Sequence, residues 1–196
     1  MAGRKQFDVD TALDAAMIQF WRAGYADTSV EDLSRATGLN RSSIYSSFGD
    51  KDSLFAVCLQ RYVSRYGRHY DAALSCAADR PLTAVQAFFN VTLERIADRD
   101  LPDGCLVVQT VMTAPVLSPA IVSRAQEAVA LQRNRLRTAL RAGGLPEKAA
   151  DTFALYAVAV NQSLAVMSRT EATPAQLRAV VDLALDTLAQ GFVADN

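Results

Sequence analysis

The chain is poor in the residues from which metal and nucleophilic sites are built. Among 196 residues it has one histidine, His69, and three cysteines, Cys58, Cys76 and Cys105. They form no CxxC pair and no Cys/His cluster, which argues against a zinc site and against a disulfide framework. Unpaired thiols suit a reducing compartment, so a cytoplasmic location is expected. His69 has no evident carboxylate or cysteine partner and reads as a surface or partly buried residue rather than a ligand or base. HExxH, Walker and GxGxxG motifs are missing, as is any nucleophile–histidine pairing, so neither catalysis nor a cofactor is expected. A long hydrophobic run is lacking too. The longest, around Phe153–Val160, falls well short of the roughly 20 residues that cross a bilayer. Residues 1–16 are too polar for a signal-peptide core. No membrane partner is expected.

Excess positive charge is also missing: 20 Lys and Arg stand against 21 Asp and Glu, for a net charge of −1. The first 51 residues are no more basic, with Arg4, Lys5, Arg22, Arg35, Arg41 and Lys51 facing seven acids. Non-specific attraction to nucleic acid is therefore weak. DNA binding would have to come from a few well-placed groups.

What is present is helix. Hydrophobic residues make up 51% and charged residues 21%, as in ordinary globular proteins and unlike disordered ones. Apolar residues recur at helical spacing with no convincing alternating strand, which gives an all-α chain. Helices are predicted at 8–23, at 30–36 after Thr28 or Ser29, at 41–47, 51–75, 82–98, 105–113, 119–142, 147–169 and 174–190. Thr28-x-x-Glu31 and Ser29-x-x-Asp32 both resemble capping boxes, and Asn40 and Asp50 suit N-caps. Ser118-Pro119 and Thr173-Pro174 place a capping hydroxyl before a proline at the first helical position. Two domains are expected: a three-helix module over 1–50, and a helical body over 51–196 entered through one long helix.

Residues 28–48 read as helix, tight turn, short helix. Gly38 supplies the positive φ of the turn and Leu39 a plug for the core. The short helix is polar outside (Arg41, Ser42, Ser43, Ser46, Ser47) and apolar inside (Ile44, Phe48). Small hydroxyl residues let a helix sit deep in a major groove about 12 Å wide. Arg41 could reach guanine or phosphate, and Tyr45 carries a hydroxyl on a rigid arm toward phosphate. Pattern alone leaves a second reading open, in which the serines are simply a solvated face.

The run Gly24-Tyr25-x-x-Thr28-Ser29-Val30-x-Asp32-Leu33, then Ala36-Thr37-Gly38-Leu39, then Ser43-Ile44-Tyr45-x-x-Phe48-x-x-Lys51-x-x-Leu54, resembles the N-terminal signature of the TetR family of transcriptional regulators. The likeness covers roughly residues 7–60; the rest resembles the family only in length and helical layout. It implies a helix-turn-helix domain joined to a helical ligand-binding and dimerisation domain. It further implies a homodimer, double-stranded operator DNA as partner, and a small-molecule inducer. Residue by residue it implies phosphate contacts from Thr28 and Ser29 at a helix N-terminus. It implies base or phosphate contacts from Arg41, Ser42, Ser43 and Ser46, and phosphate contacts from Tyr45 and Lys51. Arg4 and Lys5 would reach into a neighbouring minor groove. Many relatives have a histidine or bulky aromatic where this chain has Ser46 and Ser47, so its contacts and preferred site should differ.

In the body, Ala149, Phe153, Tyr156, Ala157, Val160, Leu164 and Met167 share one helix face, and Leu177, Val181, Ala184, Leu185 and Leu188 another. They suit either a protomer core or, as the resemblance implies, a four-helix bundle with a second copy. A pocket among the middle helices would draw on Tyr66, Tyr70, Phe88, Phe89, Gln109, Met112 and Asn161. Cys105, in Gly104-Cys105-Leu106 at a helix start, reads either as a redox-sensitive thiol or as a small buried hydrophobe.

Overall fold

The computed structural model describes residues 9–77 and 80–194, with side chains to residue 192. Among these residues nine α-helices follow one another: α1 Val9–Ala23, α2 Val30–Thr37, α3 Arg41–Phe48, α4 Lys51–Ser75, α5 Pro81–Ala97, α6 Leu106–Met112, α7 Pro119–Ala142, α8 Glu147–Arg169 and α9 Pro174–Ala194. A short 3₁₀ turn, Ala114–Val116, separates α6 from α7, and the described residues contain no strand.

The helix starts follow local chemistry. Ser29 caps α2 in a reciprocal box, its hydroxyl accepting from the Asp32 amide (3.1 Å) while Asp32 accepts from the Ser29 amide (2.9 Å). The Asn40 carbonyl oxygen accepts from the Ser43 amide at 2.7 Å, and Asp50 from the Ser53 amide at 2.8 Å. Thr173 caps α9 as expected, in a reciprocal box with Gln176. Ser118 departs from expectation: its side chain caps nothing. Its own backbone carbonyl takes the amides of Ile121 (3.0 Å) and Val122 (3.1 Å), and the Ile121 amide is one of the two donors that a capping hydroxyl would meet.

The buried side chains of head and body form one continuous cluster from Leu13 to Leu188. In α1 the inner face is Ala12, Leu13, Ala16, Met17, Phe20 and Trp21. Phe20 meets Phe55 edge-on at 4.9 Å and Trp21 meets Tyr62 at 5.0 Å, which fixes α1 against α4. Burying each such ring contributes about 1.5–3 kcal/mol. A charge clamp reinforces the contact outside: Arg61 and Arg65 of α4 both reach Asp14 of α1, at 2.7 and 2.5 Å. Hydrogen bonding from Arg61 holds the Asp14 carboxyl below its ordinary value.

The body packs α4, α5, α7 and α8 around the middle of the cluster, with α9 against α5 and α8. Most of the apolar stripe expected on α8 packs inward, with Tyr156 exposed. The residues turned outward are offset from it: Leu155 (54% exposed), Ala159 and Val166 on α8, joined by Leu183 (69%) on α9.

Candidate functional site

The α2–α3 unit is shaped by its turn. Gly38 takes φ +70 and donates its amide to the Ser34 carbonyl, ending α2 in a left-handed cap. Thr37 Oγ1 accepts from the Leu39 amide at 3.2 Å, and Leu39 turns inward against the core. Ile44 then plugs α3 into that core at 2% exposure, and Phe48 packs half-buried beside it. The opposite face of α3 carries Arg41, Ser42, Tyr45, Ser46 and Ser47, all exposed. Ser43 is half-buried, its amide held by Asn40. The Arg41 guanidinium lies 5.5 Å from the Tyr45 ring centroid, and its acid neighbour among the described residues is Glu31, 3.9 Å away across open solvent. Such a loose pair contributes little and leaves the cation available.

Two expected phosphate contacts stand differently. Thr28 is fully buried, and its hydroxyl donates to the Gly24 carbonyl at 2.6 Å. That corrects the expectation for its side chain: it closes the α1–α2 turn and faces no solvent. Ser29 is exposed, but its hydroxyl donates to Asp32 at 2.6 Å, so the α2 N-terminus already holds an anion of its own. Lys51 is half-buried with its ammonium 4.3 Å from the Tyr25 ring centroid, and burial lowers its pKa. Tyr25 donates to Asp52, and burial together with that carboxylate pushes its phenol up to about 12. Arg4 and Lys5 lie outside the described residues.

In the body, Tyr66, Tyr70 and Asn161 line one cavity of about 50 Å³. Tyr62, Arg95 and Cys105 line it too. Tyr70 and Thr92 share a hydrogen bond at 2.7 Å, and Asn161 Nδ2 donates to Tyr70 at 3.3 Å. The other residues expected at the pocket lie off this cavity. Phe88 and Phe89 are fully buried, Phe88 stacking behind Tyr70 at 4.9 Å without reaching the cavity. Gln109 instead caps α1: oriented to satisfy both neighbours, its amide donates to the Trp21 carbonyl (3.1 Å) and accepts from the Gly24 amide (3.2 Å). Met112 is 68% exposed on a separate apolar groove between α6, α7 and α8. The short α6 explains both misplacements. Its seven residues point Leu106, Val107 and Thr110 inward and turn Gln109 and Met112 away.

Sequence reasoning missed Arg95. It occupies the apolar face of α5 in register with Phe88, Val91 and Thr92, and a cation on such a stripe is a signal in itself. It is 6% exposed. Its guanidinium donates to the Gly104 carbonyl and lies 5.5 and 5.6 Å from the ring centroids of Trp21 and Tyr66. Cys105 is half-buried and accepts a hydrogen bond from Tyr62 at 3.3 Å. His69 is exposed, its ring edge-on to Tyr66.

A bridge joins body to head. Arg169, at the end of α8, donates to the Trp21 carbonyl (2.7 Å), the Arg22 carbonyl (3.4 Å) and the Asp103 carbonyl (3.2 Å). A cation on the last carbonyls of α1 complements that helix end. Among the described residues no helix is long and apolar enough to cross a membrane, and no group of three or more His, Cys, Asp or Glu is placed to hold a metal ion.

Comparison with known proteins agrees with this geometry. Residues 12–58 match the model for bacterial regulatory proteins of the tetR family, and residues 81–183 match the LmrA/YxaF-like transcriptional regulator C-terminal domain. The transcriptional repressor ComR of Escherichia coli is 33% identical over 68% of this chain, a match spanning 63% of ComR's own length. Among solved structures, the TetR-family regulator CifR, as a cysteine mutant complexed with 26-base-pair operator DNA, is 30% identical. It superposes with a TM-score of 0.78 over 92% of this chain and 96% of that one. A TetR regulator from Chloroflexus aurantiacus superposes at 0.82 over 92% and 93% with 22% identity, which speaks to the fold alone. With a helix-turn-helix ahead and a matching regulator body behind, the chain belongs to the TetR family of transcriptional regulators.

Proposed function

We propose that this protein is a ligand-responsive repressor that binds palindromic operator DNA as a homodimer in the cytoplasm, and not an enzyme. The observation that carries the reading is the exposed polar face of α3, with Arg41, Ser42, Tyr45 and Ser46 presented by a helix whose other side is anchored by Ile44. Arg41 is the base-or-phosphate reader. Tyr45 is a phosphate contact, and Lys51 supplies one after leaving the Tyr25 ring. The CifR relative, complexed with operator DNA, supports DNA as the partner. Palindromic half-sites need two recognition helices about 34 Å apart. The outward apolar residues Leu155, Ala159, Val166 and Leu183 supply a self-complementary surface for that pairing.

Residues 1–50 form the DNA-binding part, and 51–196 the ligand-binding and dimerisation part. An inducer settling among Tyr66, Tyr70 and Asn161 favours an arrangement in which the heads no longer match the operator. It weakens DNA binding by its differential affinity for the two arrangements. The inner face of α4 links the two parts, with Leu54 and Phe55 packed in the head and Tyr62, Tyr66 and Tyr70 at the cavity.

The test is retention of genomic fragments selected by the purified protein. Arg41→Ala and Tyr45→Ala should each weaken binding, and loss of a phosphate contact should lower the slope of log affinity against log salt by about 1. A helical carrier of the same fold would retain no fragment, and retention unaffected by both substitutions would refute the assignment of this face.

A further inference from the structure

We propose that the cavity beside α4 takes a small carboxylate, held by Arg95. This rests on the ligand-responsive reading above and names the chemistry of its ligand.

Arg95 is a buried cation without an anion. Among the described residues no carboxylate pairs with it; its contacts are one backbone carbonyl and two aromatic faces. Ring faces attract a guanidinium but do not neutralise it, and an uncompensated buried charge is costly unless something brings the counter-charge. The other cation on the cavity wall, Arg135, is already paired with Asp71 at 2.7 Å. The unmatched charge in this space is therefore Arg95.

The rest of the wall fits the same ligand. The Tyr66 hydroxyl has no hydrogen-bond partner among the described residues, and Tyr62 donates only to the sulfur of Cys105, a weak acceptor. Phenol donors around a guanidinium that lacks a counter-anion make a receptor for an oxyanion. A guanidinium fork matches the two oxygens of a carboxylate in one plane. Val63, Val107, Val108 and Ala165 supply apolar wall beside the amides of Gln132 and Gln162, and the space is about 50 Å³, so the tail is short.

The position of Arg95 also explains how such a ligand would be felt. The guanidinium packs on Trp21 of α1 and holds the carbonyl of Gly104, whose amide donates to the Ser168 hydroxyl of α8 at 2.9 Å. A carboxylate drawing on Arg95 loosens its hold on both, close to the α1 carbonyls that Arg169 grips.

Trp21 is the chain's single tryptophan, so its fluorescence reports on Arg95 directly. Acetate, propanoate and butanoate should each give a saturable change at constant ionic strength. Acetamide, propanamide and butanamide, together with chloride and nitrate, should give none. Arg95→Met should weaken the carboxylate response at least about tenfold, the equivalent of about 1.4 kcal/mol. Tyr66→Phe removes one donor with little risk to folding and should weaken it several-fold. Equal responses to acids and amides, a response to any anion alike, or unaltered carboxylate affinity in both variants would overturn the proposal. The same titrations run against operator binding separate the two readings. Release by a neutral compound seated in this cavity keeps the regulator and removes the carboxylate. Carboxylate binding that leaves operator affinity unchanged keeps the carboxylate site and removes its role as inducer.

Discussion

Gly104 should be among the least replaceable positions in the body, and the cost of replacing it should depend on Arg169. Its φ is +84, and a Cβ built there would sit 2.5 Å from Arg169 Nε and 2.9 Å from Cδ. Gly104→Ala therefore carries two penalties. Left-handed backbone costs a non-glycine residue roughly 1–2 kcal/mol. Displacing Arg169 removes its bonds to three carbonyls, at 2.7, 3.2 and 3.4 Å. Because that side chain is largely solvent-exposed, the set contributes about 1 kcal/mol rather than the full value of a buried charged bond. The single change should thus cost about 2–3 kcal/mol, and Arg169→Ala about 1 kcal/mol. The double variant should cost no more than Gly104→Ala alone, a coupling of about 1 kcal/mol. Urea unfolding followed at Trp21, at one fixed protomer concentration, measures all four proteins. Costs that add to within about 0.5 kcal/mol would show that the glycine is not there to admit Arg169.

Three further outcomes are expected. Leu183→Glu places a charge on the most exposed large apolar side chain of α9 and should convert the proposed homodimer to monomer in sedimentation while leaving the helical spectrum intact; a dimer unchanged by it would refute this face as the interface. Alkylation of the native protein should modify exposed Cys76 first, half-buried Cys105 more slowly, and Cys58 only on unfolding, since burial pushes the Cys58 thiol up to about 12. In a Cys76→Ser background the Cys105 adduct should lower operator affinity, because that thiol lines the cavity, and an adduct that binds operator normally would end the case for Cys105 as a sensor.

The readable parts of the sequence were those decided within a few residues. Ser29, Asn40 and Asp50 stop and start helices through bonds to amides three positions on, so their spacing is enough. Gly38 and the alternation of Ile44 with small polar residues give the turn and the two faces of α3 for the same reason. Thr28 failed because its hydroxyl had a competing target, a carbonyl four residues back that becomes an acceptor only when α1 ends at Gly24. The pocket was half legible. Tyr66 and Tyr70 lie on the inward face of the long α4, where periodicity points to them. Phe88 obeys the same periodicity but sits one layer deeper, and Gln109 and Met112 ride on a helix too short to fix a phase. Arg95 needed the tertiary structure, because its partners come from α1, α4 and the loop before α6.

The length of α4 has a geometric corollary. Its 25 residues run without a break from the Asp50 cap to Ser75, and the Asp14 clamp ties α1 of the head to its middle. At 1.5 Å per residue the rod measures about 37 Å, so rotating its far end by about 5° swings the tip through roughly 3 Å. In the proposed homodimer, two such rods moving in opposite sense would alter the head-to-head span by about 6 Å, a sizeable error against a duplex repeat of about 34 Å. On the proposed mechanism, an angular change too small to disturb the packing around the cavity would thereby be amplified into a misfit on DNA.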